Sequence, residues 1–150
     1  MPQSLAKILL HIIFSTKNRM PLLKDEIREP LHGYMAGVLK KHDSPAIVIG
    51  SVENHIHVLC LLSRTQTVAG VVEEIKKSTS KWIKTNGVAY SKFQWQSGYG
   101  AFSVSESNRA EVETYIQNQR EHHRTRTFEE EYRAFLKRYN VPYDERYVWD

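Results

Sequence analysis

Cysteine is almost missing from this chain. Cys60 is the single one in 150 residues, so no internal disulfide can form and the composition fits a reducing, cytoplasmic setting. No apolar run reaches the roughly 18–20 residues that a membrane span requires, which argues against a membrane protein. The apolar stretch in MPQSLAKILLHIIF has no basic region before it and no small-residue cleavage site after it, so it reads as a strand and not as a signal peptide. There is no internal repeat and no low-complexity tract. Charge is only mildly one-sided, at a formal +4, which permits an anionic polymer as partner without demanding one. What is present is a hydrophobic content of 41% and a charged content of 25%, enough for one compact domain with a real core.

Period-two alternation marks residues 6–15 as a strand, with Ile8, Leu10, Ile12 and Phe14 on one side and Lys7, Leu9, His11, Ile13 and Ser15 on the other. Residues 25–41 read as a helix whose buried stripe is Ile27, Leu31, Tyr34, Met35, Val38 and Leu39. AIVIGSV (46–52) and HIHVLCLL (55–62) form a hairpin about Glu53-Asn54. Residues 68–85 form a second amphipathic helix, with Lys76, Lys77, Lys81 and Lys84 mostly off its apolar stripe. Residues 92–105 carry aromatic strand material, and Gly98 and Gly100 there signal a bulge or a close backbone approach. A third helix spans 107–123, a short one 127–139, and an aromatic tail follows. The order β-α-β-β-α-β predicts an α+β fold, the ferredoxin-like split β-α-β sandwich. The first and third strands are then central, two helices cover one face, and the other face is left for a site and the third helix.

His55 and His57 stand two apart on a strand, so their side chains share a face with Cα atoms roughly 6.5–7 Å apart, and two imidazoles so placed can converge on one metal ion. Cys60 points the opposite way, into the core. On the third helix Tyr115 and Gln119 are four apart and share a face, with His122 three further on. Val112 and Ile116 form the adjoining apolar strip that docks the helix. Taken singly, each pattern also suits half-exposed polar residues on a packed strand and helix.

The ordered set is more specific. A His-x-His strand followed by a Tyr-x-x-x-Gln helix, in this fold pattern, resembles the HUH single-tyrosine transposases of small insertion sequences, including the repeat-associated tyrosine transposases. The motifs are His55-Ile56-His57 and TYIQNQREHH. HIIFSTKNRMPLL, the lysine-rich helix and WQSGYGAFSVS add to the likeness, which covers roughly residues 5–125. It implies a catalytic domain at 1–125, including the tyrosine helix, with 126–150 as a C-terminal helix and tail of the same domain. It further implies Tyr115 as nucleophile, His55, His57 and Gln119 as metal ligands, and magnesium or manganese as the ion, although ligand chemistry alone suits zinc equally. The expected reaction is cleavage and strand transfer of single-stranded DNA at hairpin-bearing insertion-sequence ends, through a 5′-phosphotyrosine, by a homodimer.

Lys17, Arg19, Lys76, Lys77 and Lys81 are candidate phosphate contacts, as is His122. Phe93, Trp95, Tyr99 and Phe102 suit the core better than base stacking. His11 faces the same side as His55 and His57, in a core or supporting position. The alternatives are a catalytically inactive module that binds single-stranded or hairpin DNA on the same fold, and a zinc enzyme whose activity survives loss of Tyr115.

Overall fold

The computed structural model describes residues 2–150. Four strands, β1 (Leu9–Ser15), β2 (Ala46–Ser51), β3 (His55–Leu61) and β4 (Gly100–Val104), form one antiparallel sheet in the order β2-β3-β1-β4. The ferredoxin-like α+β expectation is met, with β1 and β3 in the middle. Helices α1 (Asp25–Lys41) and α2 (Val68–Ile83) cover one face. α3 (Arg109–Gln117), α4 (Gln119–Thr125) and α5 (Phe128–Arg138) cover the other. No helix among the described residues is long and apolar enough to cross a membrane.

Alternation decides which core each side chain joins. Leu10, Ile12 and Phe14 of β1 and Ile56, Val58 and Cys60 of β3 pack with Ile27, Leu31, Met35 and Leu39 of α1 and with Val71, Val72, Ile75 and Ile83 of α2. Each such side chain contributes about 1.5–3 kcal/mol relative to an exposed one. Burial pushes the Cys60 thiol up to about 12, so it stays a protonated core group. Tyr34 departs from the expected stripe. It is 39% exposed and stacks on Trp82 of α2 at 5.4 Å between ring centroids, because a phenol can cover a helix–helix seam while its hydroxyl stays wet.

Helix ends follow local chemistry. Thr67 Oγ1 accepts from the Gly70 N–H at the start of α2, and Thr127 and Glu130 form a capping box on α5. Two elements differ from expectation. Only Gly100–Val104 of the 92–105 stretch is strand, since Phe93 and Trp95 turn into the first core. The helix expected over 107–123 breaks at Asn118, where ψ is 25°. Asparagine favours helix ends over interiors, and the break lets the chain after Tyr115 turn towards the sheet.

Two glycines set how closely the second layer approaches. A Cβ at Gly50 would lie 2.3 Å from the Ile116 carbonyl oxygen, so α3 can press on β2 only because no side chain is there. A Cβ at Gly100 would lie 2.7 Å from Tyr132, so the bare backbone of β4 admits α5. The C-terminal tail then fastens α5 in place. Arg19 Nη1 donates to Trp149 O at 2.8 Å, the Gly98 N–H to Asp150 O at 2.7 Å, and Arg133 pairs with Glu145 at 2.7 Å.

Candidate metal and nucleophile site

Pairing of β1 with β3 sets Ser15 opposite His55 and Ile13 opposite His57. Both imidazoles and His11 therefore stand on the face covered by α3, α4 and α5, and all three are buried. His57 is held from two sides. Its Nδ1 lies 2.8 Å from His11 Nε2, and its Nε2 lies 2.8 Å from Glu131 Oε1. Burial keeps His11 neutral, well below the ordinary histidine value. His55 is oriented by Asn54, whose Oδ1 accepts from Nδ1 at 2.7 Å. This turns the Nε2 lone pair inward, towards Glu131 Oε1 and Gln119 Oε1, both 3.1 Å away.

Glu131 is the residue that sequence reasoning missed. It projects from α5 and is 3% exposed. Burial opposes its charge, but the imidazoles of His57 and His55 more than offset this and hold its carboxyl well below the usual range. A signal existed. Phe128, Glu131, Tyr132 and Phe135 fall at helical spacing, so a glutamate stands on the apolar stripe of α5.

Tyr115 completes the cluster. Its hydroxyl donates to Glu131 Oε2 and accepts from Arg126 Nη2 at 3.0 Å. Its ring lies 5.9 Å from that of His57 and stacks on His122 at 4.2 Å. Burial and then the Glu131 charge raise the phenol above its ordinary value, with Arg126 opposing. At neutral pH it is a protonated phenol pointed at a carboxylate.

The donor set fits a divalent cation. His55, His57 and Glu131 offer ligand atoms that all lie within 4.8 Å of one another, and the Gln119 amide oxygen points at the same space. The inward lone pair of His55 faces two oxygen acceptors with no proton between them, an arrangement that a cation satisfies. Gln119 Nε2 is buried without a partner among the described residues. The other ring nitrogens of both histidines are engaged, as metal-ligating imidazoles require.

Of the expected phosphate contacts, His122 stands beside Tyr115 and the lysines and Arg19 lie elsewhere. Lys17, Lys77 and Lys84 border a shallow groove with Lys76 and Gln94–Ser97, at the end of the sheet that carries His55. Within it Lys76 is committed inward. Its Nζ donates to the carbonyls of Gln96, Ser97 and Gly98 at 2.7, 3.1 and 2.6 Å, and burial lowers it to about 8. Lys81 is exposed on α2. Arg19 serves the tail carbonyl described above. Of the aromatics before the tyrosine helix, Phe93, Trp95 and Phe102 are buried, and Tyr99 is 36% exposed.

Comparison with known proteins identifies the family. The profile of the family described as "Transposase IS200 like" matches residues 4–119. The ISDra2 transposase TnpA of Deinococcus radiodurans is 23% identical over 117 residues, covering 73% of this chain and 81% of that protein. A putative transposase from Deinococcus radiodurans R1 superposes with a TM-score of 0.62 at 20% identity, over 79% of this chain and 98% of the other. A REP-associated tyrosine transposase bound to a REP hairpin superposes with a TM-score of 0.61 at 14% identity, over 82% of this chain and 73% of the other. The likeness in structure is one of fold; the family match over most of the chain carries the assignment, and the chain belongs to the IS200-like transposases.

Proposed function

We propose that this chain is an active, metal-dependent transposase that cleaves and rejoins single-stranded DNA through a covalent bond to Tyr115. The observation that carries the proposal is that one chain brings a phenol hydroxyl, the carboxylate that accepts its hydrogen bond, and two imidazoles into one connected cluster. Attack by the phenol oxygen forms an O–P bond to the scissile phosphate and breaks the P–O3′ bond. Glu131 Oε2 orients the phenol by accepting its hydrogen bond, the phenolic proton leaves to water, and the departing 3′-oxygen takes a proton from water. Arg126, which already donates to the phenol oxygen, stabilises charge on it as the proton leaves. His122 keeps the ring in one orientation by stacking. One phosphodiester replaces another, so a second 3′-hydroxyl can reverse the step and join a new strand without ATP.

Two imidazoles, a carboxylate and an amide oxygen suit magnesium or manganese, with zinc allowed by the imidazoles. When bound there, such an ion would withdraw charge from the scissile phosphate as a Lewis acid. Because the tyrosine sits beside the histidines of its own chain, the homodimer expected from the resemblance is not required to assemble the site. Residues 126–150 belong to the catalytic domain in this reading, since they supply Arg126 and Glu131. The similar fold solved with a REP hairpin supports hairpin-bearing DNA as substrate, and the groove at Lys17, Lys77 and Lys84 suits a phosphate backbone.

The test is to incubate the protein with labelled single-stranded DNA carrying insertion-sequence ends and manganese, then resolve it on a denaturing gel. A DNA-shifted protein band that disappears in Tyr115→Phe is expected. Strand cleavage persisting undiminished in that variant would leave the two histidines as a simple metal nuclease, and binding without any cleavage would leave an inactive binding module.

A further inference from the structure

Beside Tyr115, between α3 and α5, lies a cavity of about 240 Å³ that the cleavage chemistry above does not use. Its walls combine three kinds of group. Phe135 and Tyr139 are aromatic, and Phe102 stacks behind both at 5.8 and 4.7 Å. Arg126 and Arg138 bring two positive charges against the single carboxylate of Glu111. His11 and Asn108 supply polar edges. The volume is below the roughly 300 Å³ at which pockets begin to take drug-sized ligands, which limits an occupant to about one planar ring and what it carries.

One wall residue ties the cavity to the candidate metal ligands. His11 is 1% exposed and forms part of the wall, and its Nδ1 has no partner among the described residues. An unmade hydrogen bond at a buried polar atom is destabilising unless something else completes it. Its other nitrogen touches His57, so the cavity and the candidate metal ligands share one hydrogen-bonded chain. A neutral imidazole carries one N–H. With a cation on His57 Nε2, the His57 Nδ1–H would donate to His11 Nε2, so the His11 wall of the cavity is fixed by the same contact that orients His57.

We propose that this cavity is a nucleotide subsite, which seats the first nucleotide of the DNA strand that stays attached to Tyr115. This rests on the transposase reading above. The base stacks on Tyr139, its edge meets Asn108, and the next phosphate outward meets Arg138. In an in-line displacement the 3′-oxygen departs on the side opposite the phenol, and the cavity lies on the phenol's side. The nucleotide it holds is therefore the one 3′ of the break. Stacking of a base on an aromatic side chain is worth about 1–3 kcal/mol, so the cavity would contribute directly to the choice of cleavage position.

The experiment first maps the break by the covalent-adduct gel. 2-Aminopurine is then placed immediately 3′ or immediately 5′ of that position in DNA bound to Tyr115→Phe protein, which cannot cleave. Fluorescence quenching at the 3′ position, several-fold stronger than at the 5′ position and lost when Tyr139→Ala is added, is the expected result. An abasic 3′ nucleotide should lower the adduct yield of the native protein about 5–150-fold, the same 1–3 kcal/mol expressed as a rate, and should have little further effect in Tyr139→Ala. Arg138→Ala, an exposed substitution, guards against a folding defect and should weaken DNA binding alone. Adduct formation with equal quenching at both positions and no abasic effect would overturn the subsite while leaving the nucleophile in place. Absence of any adduct from the native protein would overturn both.

Discussion

Replacing Gly50 by alanine should separate α3 from the sheet and slow cleavage without touching any reacting group. The position has no left-handed backbone, so alanine is conformationally acceptable, and in a strand it would ordinarily be favoured over glycine. The obstacle is steric. The added Cβ would stand 2.3 Å from Ile116 O and 2.9 Å from its Cγ2, where ordinary contacts begin at 3.4 Å. Backbone, not a flexible side-chain end, is what it meets, so α3 must move by roughly 1 Å. Overpacking of this kind costs about 1–3 kcal/mol, which for a chain of this length lowers Tm by roughly 2–12 °C. Tyr115 precedes Ile116, so the phenol moves with it, and a displacement of about 1 Å can cost on the order of 10²-fold in rate. Calorimetry and the time course of adduct formation measure the two effects. Gly37→Ala in α1, where a Cβ meets nothing within 4 Å, is the counterpart and should stabilise by about 0.5–1 kcal/mol. Gly50→Ala protein with native Tm and native adduct rate would refute the reasoning that this glycine sets the height of the tyrosine helix.

Four further outcomes follow from the structure. Lys76→Ala should destabilise the fold by about 2–3 kcal/mol, since it removes a charged donor from three carbonyls. Lys77→Ala should leave stability within about 0.5 kcal/mol and instead reduce the salt slope of single-strand binding by about 0.7; urea titration and binding at several salt concentrations distinguish the two. Glu131→Gln should weaken manganese or magnesium binding by at least about 10–100-fold, the loss known for partners outside the ligand shell itself, and calorimetric titration giving native affinity would remove Glu131 from the ligand set. The metal-free protein should lose stability on acidification: burial keeps His11 and His55 neutral in the fold, whereas the unfolded chain takes up protons below about pH 6.5, so each histidine subtracts at most about 1.4 kcal/mol per pH unit between that value and its lowered value in the fold. Glu131, held low in the fold, acts in the same direction further down, where the unfolded carboxyl protonates first. An unchanged urea midpoint between pH 7 and 5.5 would contradict this.

Period-two and helical spacing made much of this molecule legible before any coordinates. HIHVLC declared both its strand and the side on which the imidazoles stand, because alternation assigns Ile56, Val58 and Cys60 to the opposite core. His11 could be placed on the same side by the same counting. What spacing cannot convey is a contact between residues far apart in the chain. Spacing sets Glu131 apart from Glu129 and Glu130 as an acid on the apolar stripe of α5, but not what it meets, and it becomes part of the site only because Gly100 lets α5 settle onto β4 and the tail holds it there. Lys76 shows the converse. On a helical wheel it resembles its exposed neighbours, and its role depends on where the irregular 92–99 segment turns its carbonyls. The break at Asn118 was equally hidden, since the all-polar run 117–127 carries no apolar periodicity whose interruption could mark it.

The nucleophile itself admits the most direct measurement. After reaction with single-stranded DNA, nuclease trimming and tryptic digestion, mass spectrometry should find a nucleotide phosphate on the peptide Ala110–Arg120, whose only tyrosine is Tyr115. Cleaved DNA accompanied by an unmodified Ala110–Arg120 peptide, or by a phosphotyrosyl nucleotide on Tyr139, Tyr143 or Tyr147 instead, would contradict it.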